Sequence, residues 1–184
     1  MKPLFTVHAG EYLVGSHIEA CYPGWNIWLP AKDTGVDLLV TNRRNTKSVS
    51  LQVKFSKDFT PTHLPILLQR KLVAAGWWTH QEAKIKDSCA DFWVFVLPSF
   101  TEHENNFIII KPRDLLRRLK SIHGKASTRI HSYLWITKSG HSWEARGLNN
   151  PDQEMMAFDR FRNDMRDFSQ FLNAWRALEH RLRK

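Results

Sequence analysis

The chain has 184 residues, 42% of them hydrophobic and 12% aromatic, with a formal net charge of +9. Length and apolar content suit one domain with its own core, residues 1–184, and exclude an intrinsically disordered chain. The longest apolar run, Phe92 to Leu97, is far too short to cross a bilayer, and Met1 to His8 lacks the apolar stretch of a signal peptide, so no membrane partner is expected.

A first helix is expected from Val7 to Tyr22, ending before Pro23-Gly24. Val7, Glu11, Val14, Ile18 and Cys21 share one helical stripe, in which Glu11 is the charged member. A carboxylate in an apolar stripe needs a partner, because losing hydration costs several kcal/mol. Two readings are open: Glu11 pairs with a nearby Lys or Arg at the stripe's edge, or it faces a functional cluster. Gly24 to Leu29 reads as a short strand.

Two strand-like segments follow, Gly35 to Val40 and Ser48 to Phe55, joined by the polar stretch Asn42 to Lys47 that would fold them into a hairpin. In the second, Val49, Leu51, Val53 and Phe55 alternate with Ser50, Gln52 and Lys54. Strand side chains alternate faces, so Gln52 and Lys54 project together. The hairpin can bring Asp37 beside them. A carboxylate, an amide carbonyl and an ammonium at one point have the chemistry of a magnesium site for phosphodiester hydrolysis.

Further on, Leu64 to Trp78 reads as a helix, with Asp91 to Leu97 and Asn106 to Ile110 as strands buried on both faces. A basic helix is expected over Arg113 to Ile122, closed by Gly124, and a strand over Arg129 to Thr137. The chain would end in one long helix, a C-terminal extension over residues 151–184 with Asn150 as its N-cap and Gln153 as the capping-box partner. Phe158, Phe161, Met165, Phe168, Leu172, Trp175 and Leu182 fall on an a/d-like seam, which packs either on the chain's own core or on a second copy in a homodimer. Together these elements imply an α/β fold, a mixed sheet flanked by helices.

Positive charge is concentrated mid-chain: residues 41–90 hold nine Lys/Arg against three Asp/Glu, and residues 111–150 nine against two. A polyanionic partner, nucleic acid first, is one reading and a basic soluble protein the other. Lys57, Arg70 and Lys71, then Arg113, Arg117, Arg118 and Lys120, either grip phosphates or form solvated faces. Trp25, Trp28, Trp77 and Trp78 are core residues or base-stacking platforms. Cys21 and Cys89 have no CxxC spacing, which indicates neither a disulfide framework nor a zinc site and makes a reducing cytoplasm the default.

The order Gly10-Glu11 on an early helix, Gly35-Val36-Asp37, then Gln52-Val53-Lys54 resembles the PD-(D/E)XK nuclease superfamily, which includes restriction-endonuclease-like and Holliday-junction-resolvase-like enzymes. The resemblance covers residues 7–56. It implies a restriction-endonuclease-like mixed sheet and a Mg²⁺ (or Mn²⁺)-dependent endonuclease, with DNA the expected substrate and RNA open. Asp37 would be the main metal-binding carboxylate, Gln52 would take the second acidic position, and Lys54 would be the family lysine. Glu11 would be an auxiliary ligand acting directly or through water, and the Val53 backbone carbonyl would complete the protein's share of the metal shell. Where the family usually has Asp or Glu this chain has Gln52, whose carbonyl can hold a hard cation but brings no charge; some branches are similar in carrying Gln there. An inactive nucleic-acid-binding subunit of a DNA-processing or defence complex is the alternative.

Overall fold

A computed structural model describes residues 9–32, 34–56, 59–101, 104–124 and 128–183. In chain order, helix α1 (Ala9–Cys21) leads to strands β1 (Trp25–Trp28), β2 (Leu38–Asn42) and β3 (Ser48–Phe55). After a single helical turn, α2 (Ile66–Gln69), come strand β4 (Leu72–Gln81) and the short helix α3 (Glu82–Lys86). Strands β5 (Phe92–Pro98) and β6 (Asn105–Ile110) precede helix α4 (Pro112–His123), which is followed by β7 (Arg129–Thr137) and β8 (Ser142–Glu144). Helices α5 (Asn150–Ala157) and α6 (Arg176–Arg183) finish the described chain, with a 3₁₀ turn at Ser169–Phe171 between them. Among the described residues no helix is long and apolar enough to cross a membrane.

The fold is mixed α/β, as the sequence implies. One sheet has five strands in the order β1-β2-β3-β5-β6, antiparallel except for the parallel pair β3–β5; the other has the order β4-β7-β8. Strand β5 explains the layering, because alternate residues on a strand serve opposite faces. Phe92, Val94 and Val96 join a core with Val14 and Ile18 of α1 and Leu178 and Leu182 of α6. Trp93, Phe95 and Leu97 join a second core with Trp78 of β4, Leu134 of β7 and Leu119 of α4. A third core lies under α5, where Met156 and Ala157 meet Tyr133, Trp135 and Trp143.

Two expected elements are corrected. The helix expected over residues 64–78 is instead the single turn α2 and most of strand β4. Strand β4 pairs with β7 from Leu72↔Thr137 to Gln81↔Arg129, a partner supplied from far along the chain that overrides local helix preference. The long C-terminal helix is broken: α5 is capped by Asn149, whose side chain accepts from the Asp152 N–H at 2.9 Å, and stops at Ala157. Asp159 (φ 57°) and Asn173 (φ 49°) take left-handed conformations, which Asp and Asn tolerate, so the chain turns without Gly or Pro. Its seam residues then divide among the cores, Phe161 in the third, Phe168 in the second, and Trp175 and Leu182 in the first. Four of the positions that suggested a homodimer seam are therefore buried within the chain, while Phe158, Met165 and Leu172 are half-buried.

The segment between α5 and α6 is held by Arg118, which lies in the buried stripe of α4 with Leu115 and Leu119. Its Nη1 donates to the carbonyls of Asp164 (2.6 Å), Met165 (3.0 Å) and Asp167 (2.9 Å), and its guanidinium lies over the Phe171 ring at 4.9 Å. The sequence places Arg118 among residues that grip phosphates or form a solvated face; the structure assigns it to carbonyls because the helix turns it inward. Arg118→Ala removes a buried side chain and leaves three part-buried carbonyls without this donor, and is expected to cost about 3 kcal/mol. A thermal melt should show Tm lowered by about 6–12 °C for a chain of this size.

Candidate functional site

Gly35 adopts φ 81°, a left-handed turn that carries the chain into β2, and Asp37 follows immediately before that strand. The Asp37 N–H donates to the Leu51 carbonyl at 2.8 Å, and its Oδ2 accepts from the Val53 N–H at 2.8 Å. Backbone and side chain together fix this carboxylate against the middle of β3.

The alternation read from the sequence is present in β3: Val49, Leu51 and Val53 are buried in the first core, while Ser50, Gln52 and Lys54 are half-buried on the other face. Parallel pairing sets Gln52 level with Trp93 and Lys54 level with Phe95. The Lys54 Nζ lies 4.9 Å from the centroid of the Trp93 ring, a cation–π contact, and the Trp93 Nε1–H donates to Ser88 Oγ at 2.9 Å. The ammonium is thus held on an aromatic plate whose own orientation is fixed.

Glu11 arrives from the other side of β3. Only 6% of it is exposed. Helix α1 approaches the strand through Gly10: a Cβ there would lie 2.6 Å from the Phe55 Cβ and 3.1 Å from the Val53 Cγ1. Glycine therefore sets how closely Glu11 approaches the strand.

Glu11, Asp37, Gln52 and Lys54, with Val53, all line one open cleft of about 960 Å³. Its far wall is α3 and the turn after it, contributing Lys84, Asp87, Ser88 and Cys89. The Cys89 thiol donates to the Thr34 carbonyl at 3.1 Å, closing that wall toward the segment that leads to Asp37. Lys84 and Asp87 were missed because α3 has only five residues and leaves no periodic signal; the short charged stretch Glu82-Ala83-Lys84-Ile85-Lys86 is the trace of it.

The expected phosphate-binding residues lie elsewhere. Lys57 falls outside the described residues. Arg70, Arg113 and Arg117 are exposed but do not line the cleft, and Arg117 pairs with Asp114 at 3.5 Å. The Lys71 ammonium lies over Phe158 at 5.1 Å. Lys120 binds Glu82 at 2.5 Å, so its charge ties α4 to α3, the cleft wall. Of the tryptophans, Trp78 is buried, Trp25 stacks on Tyr22 at 4.2 Å, Trp77 packs on Tyr133, and Trp28 donates to Thr41 Oγ1 at 3.1 Å; none lines the cleft.

Among the described residues no group of three or more His, Cys, Asp or Glu side chains is placed to hold a metal ion. The oxygen donors that share the cleft are the carboxylates of Glu11, Asp37 and Asp87 and the amide of Gln52, hard oxygens suited to Mg²⁺ with water completing its shell. No protein-family model, curated protein or solved structure matches the chain.

Behind the site, His80 is buried and its Nε2 is 2.8 Å from Ser132 Oγ. Burial first, then the charge of Lys54 and the neighbouring His131, lowers its pKa from 6.5 to about 4. The unfolded chain therefore binds a proton below pH 6.5 that the folded chain refuses down to about pH 4. Stability should be full above pH 6.5 and fall through that window, by roughly 3 kcal/mol in all. Thermal melts between pH 7 and 4 should show this slope, and His80→Gln should flatten it. Gly10→Ala supplies a second test. Glycine to alanine within a helix ordinarily stabilises by up to about 1 kcal/mol. Here the added methyl meets a Cβ that cannot rotate away, so a net loss of about 1–2 kcal/mol is expected in a denaturant titration.

Proposed function

We propose that this protein is a Mg²⁺-dependent nuclease of the PD-(D/E)XK kind, hydrolysing phosphodiester bonds in DNA. The observation that carries the reading is the meeting of Glu11, Asp37, Gln52 and Lys54 in one open cleft. They come from a helix, a pre-strand turn and a strand, and nothing about the apolar cores requires those four polar groups to meet.

The donor set fits a hard divalent cation. Asp37, the Gln52 carbonyl and the Val53 carbonyl would hold it, with Glu11 acting directly or through water. Such an ion, when bound, neutralises charge on a phosphate and makes a nearby water more acidic. The chain's own contributions follow from its geometry. Asp37 is positioned by its bond from the Val53 N–H, so its placement depends on β3 staying paired. Lys54, supported on the Trp93 face, presents an ammonium that orients the attacking water and donates hydrogen bonds to charge developing on the phosphate oxygens. In the reaction the water oxygen bonds to phosphorus, one P–O ester bond breaks, and the water's proton ends on the departing alkoxide.

A second reading is favoured by Gln52: a neutral amide in place of a carboxylate weakens cation binding and suits a nucleic-acid-binding subunit without catalysis. One set of assays separates the two. Plasmid, linear and branched DNA, and an RNA control, are incubated with the protein and Mg²⁺ or Mn²⁺. The nuclease reading expects cleavage that falls at least about 100-fold in Lys54→Ala while DNA binding persists, and metal binding by calorimetry that is lost in Asp37→Ala. Wild-type protein that binds DNA but never cuts it would establish the binding module instead.

A further inference from the structure

We propose that the cleft takes unpaired nucleic acid, with Phe55 as the plate on which one base stacks; this rests on the nucleic-acid reading above. Phe55 is out of keeping with its place in the sheet. It ends β3 on the face that carries Val49, Leu51 and Val53, and its parallel partner Val96 is fully buried. By position it belongs to the first core. Instead 38% of it is exposed, and it lines the cleft beside Lys54.

The structure also shows why the ring stands there. Helix α1 presses Gly10 against the base of the Phe55 side chain, with a Cβ built on Gly10 falling 3.4 Å from Cγ. The site for the ring is therefore defined by backbone on one side and left open on the cleft side. An exposed phenyl ring is unfavourable in water and gains on being covered. Lys54, from the other face of the strand, and Lys84 line the same cleft, so it holds cations together with an aromatic ring. That combination binds single-stranded nucleic acid: the cations attract the backbone and the ring stacks on whichever base is presented. Paired bases have both faces covered by their neighbours in the duplex. A base must be unpaired, at a single strand, a frayed end or a gap, to lie on Phe55.

The test is fluorescence anisotropy with a labelled oligonucleotide of about 16 nucleotides, single-stranded or annealed to its complement, in Ca²⁺ to limit cleavage. Wild type is expected to prefer the single strand about 10-fold or more, and in Phe55→Ala and Phe55→Leu that ratio should collapse toward one. Leucine keeps the apolar bulk without the π face, so its failure to rescue isolates stacking. Phe55→Trp should retain the preference, with its added indole emission quenched by the single strand and not by the duplex. Circular dichroism checks that each variant folds, and the Phe55→Trp result stands even if Phe55→Ala does not. Equal affinity of wild type for both forms, or a preference unchanged in Phe55→Leu, overturns the inference while binding and cleavage of DNA keep the nuclease reading intact. Absence of binding to any nucleic acid overturns both.

Discussion

The parallel pairing of β3 with β5 is the constraint on which the rest of the molecule depends. Antiparallel neighbours can be joined by a tight turn, but parallel neighbours need a crossover that returns the chain to the starting end. Here residues 56–91 make that return, and they contain β4 and α3. The crossover therefore contributes the strand that founds the second sheet and the helix that walls the cleft. Asp91 anchors the pair at its start: its Oδ2 accepts from the Ser50 N–H at 2.9 Å and the Ser50 hydroxyl at 3.0 Å, and its Oδ1 pairs with Arg181 of α6. One carboxylate thus sets the register that brings Lys54 over Trp93 and attaches the last helix to the same edge.

Charge inside this protein is used for joining elements as much as for chemistry. Arg118 gathers three carbonyls of an irregular segment, and Arg166 reaches the fully buried Glu144 at 2.9 Å while also donating to the carbonyls of Glu144 and Arg146. Buried ions are costly unless paired and hydrogen-bonded, and here each charge arrives with several partners. The formal charge of +9 therefore overstates what the surface offers a polyanion. Arg118, Arg166 and Lys120 serve the fold, and among the described residues the cations that border the cleft are Lys54 and Lys84.

The sequence was most readable where burial imposes a short period. Alternation marked β3 because one of its faces is apolar, and the run Phe92 to Leu97 marked β5 because both of its faces are. The meeting of Glu11, Asp37, Gln52 and Lys54 in one cleft followed from that, since three lie on or beside the hairpin and the fourth breaks an apolar helical stripe. The basic helix and β7 were also legible. What misled was spacing without context. Leu72 to Ala75 favours a helix locally, and only pairing with Trp135 to Thr137, far along the chain, makes it a strand, a pairing that continues in the contact of Thr79 with His131. The C-terminal apolar residues recur at helical intervals, yet they serve three different cores along an irregular path. Arg118 carried its own sign, falling in the inward stripe Leu115, Arg118, Leu119 and Ile122; charge drew attention where position was the better guide.

The two sheets are interleaved along the chain, β3 pairing with β5 and β4 with β7, so their strands alternate in order of synthesis. Neither sheet is complete when the other begins, and the first core waits for Trp175, Leu178 and Leu182 at the far end. Pairings this distant carry a loop-closure cost before any contact repays it, which slows folding. A chain emerging from the ribosome presents β3, with its apolar face and the cleft residues, well before β5 or α6 exists to cover it. Until then that strand is an unpaired edge open to other chains. Completion of the core beneath β3 is thereby tied to the last stretch of the described fold, although the residues that line the cleft are all made in the first half of the chain.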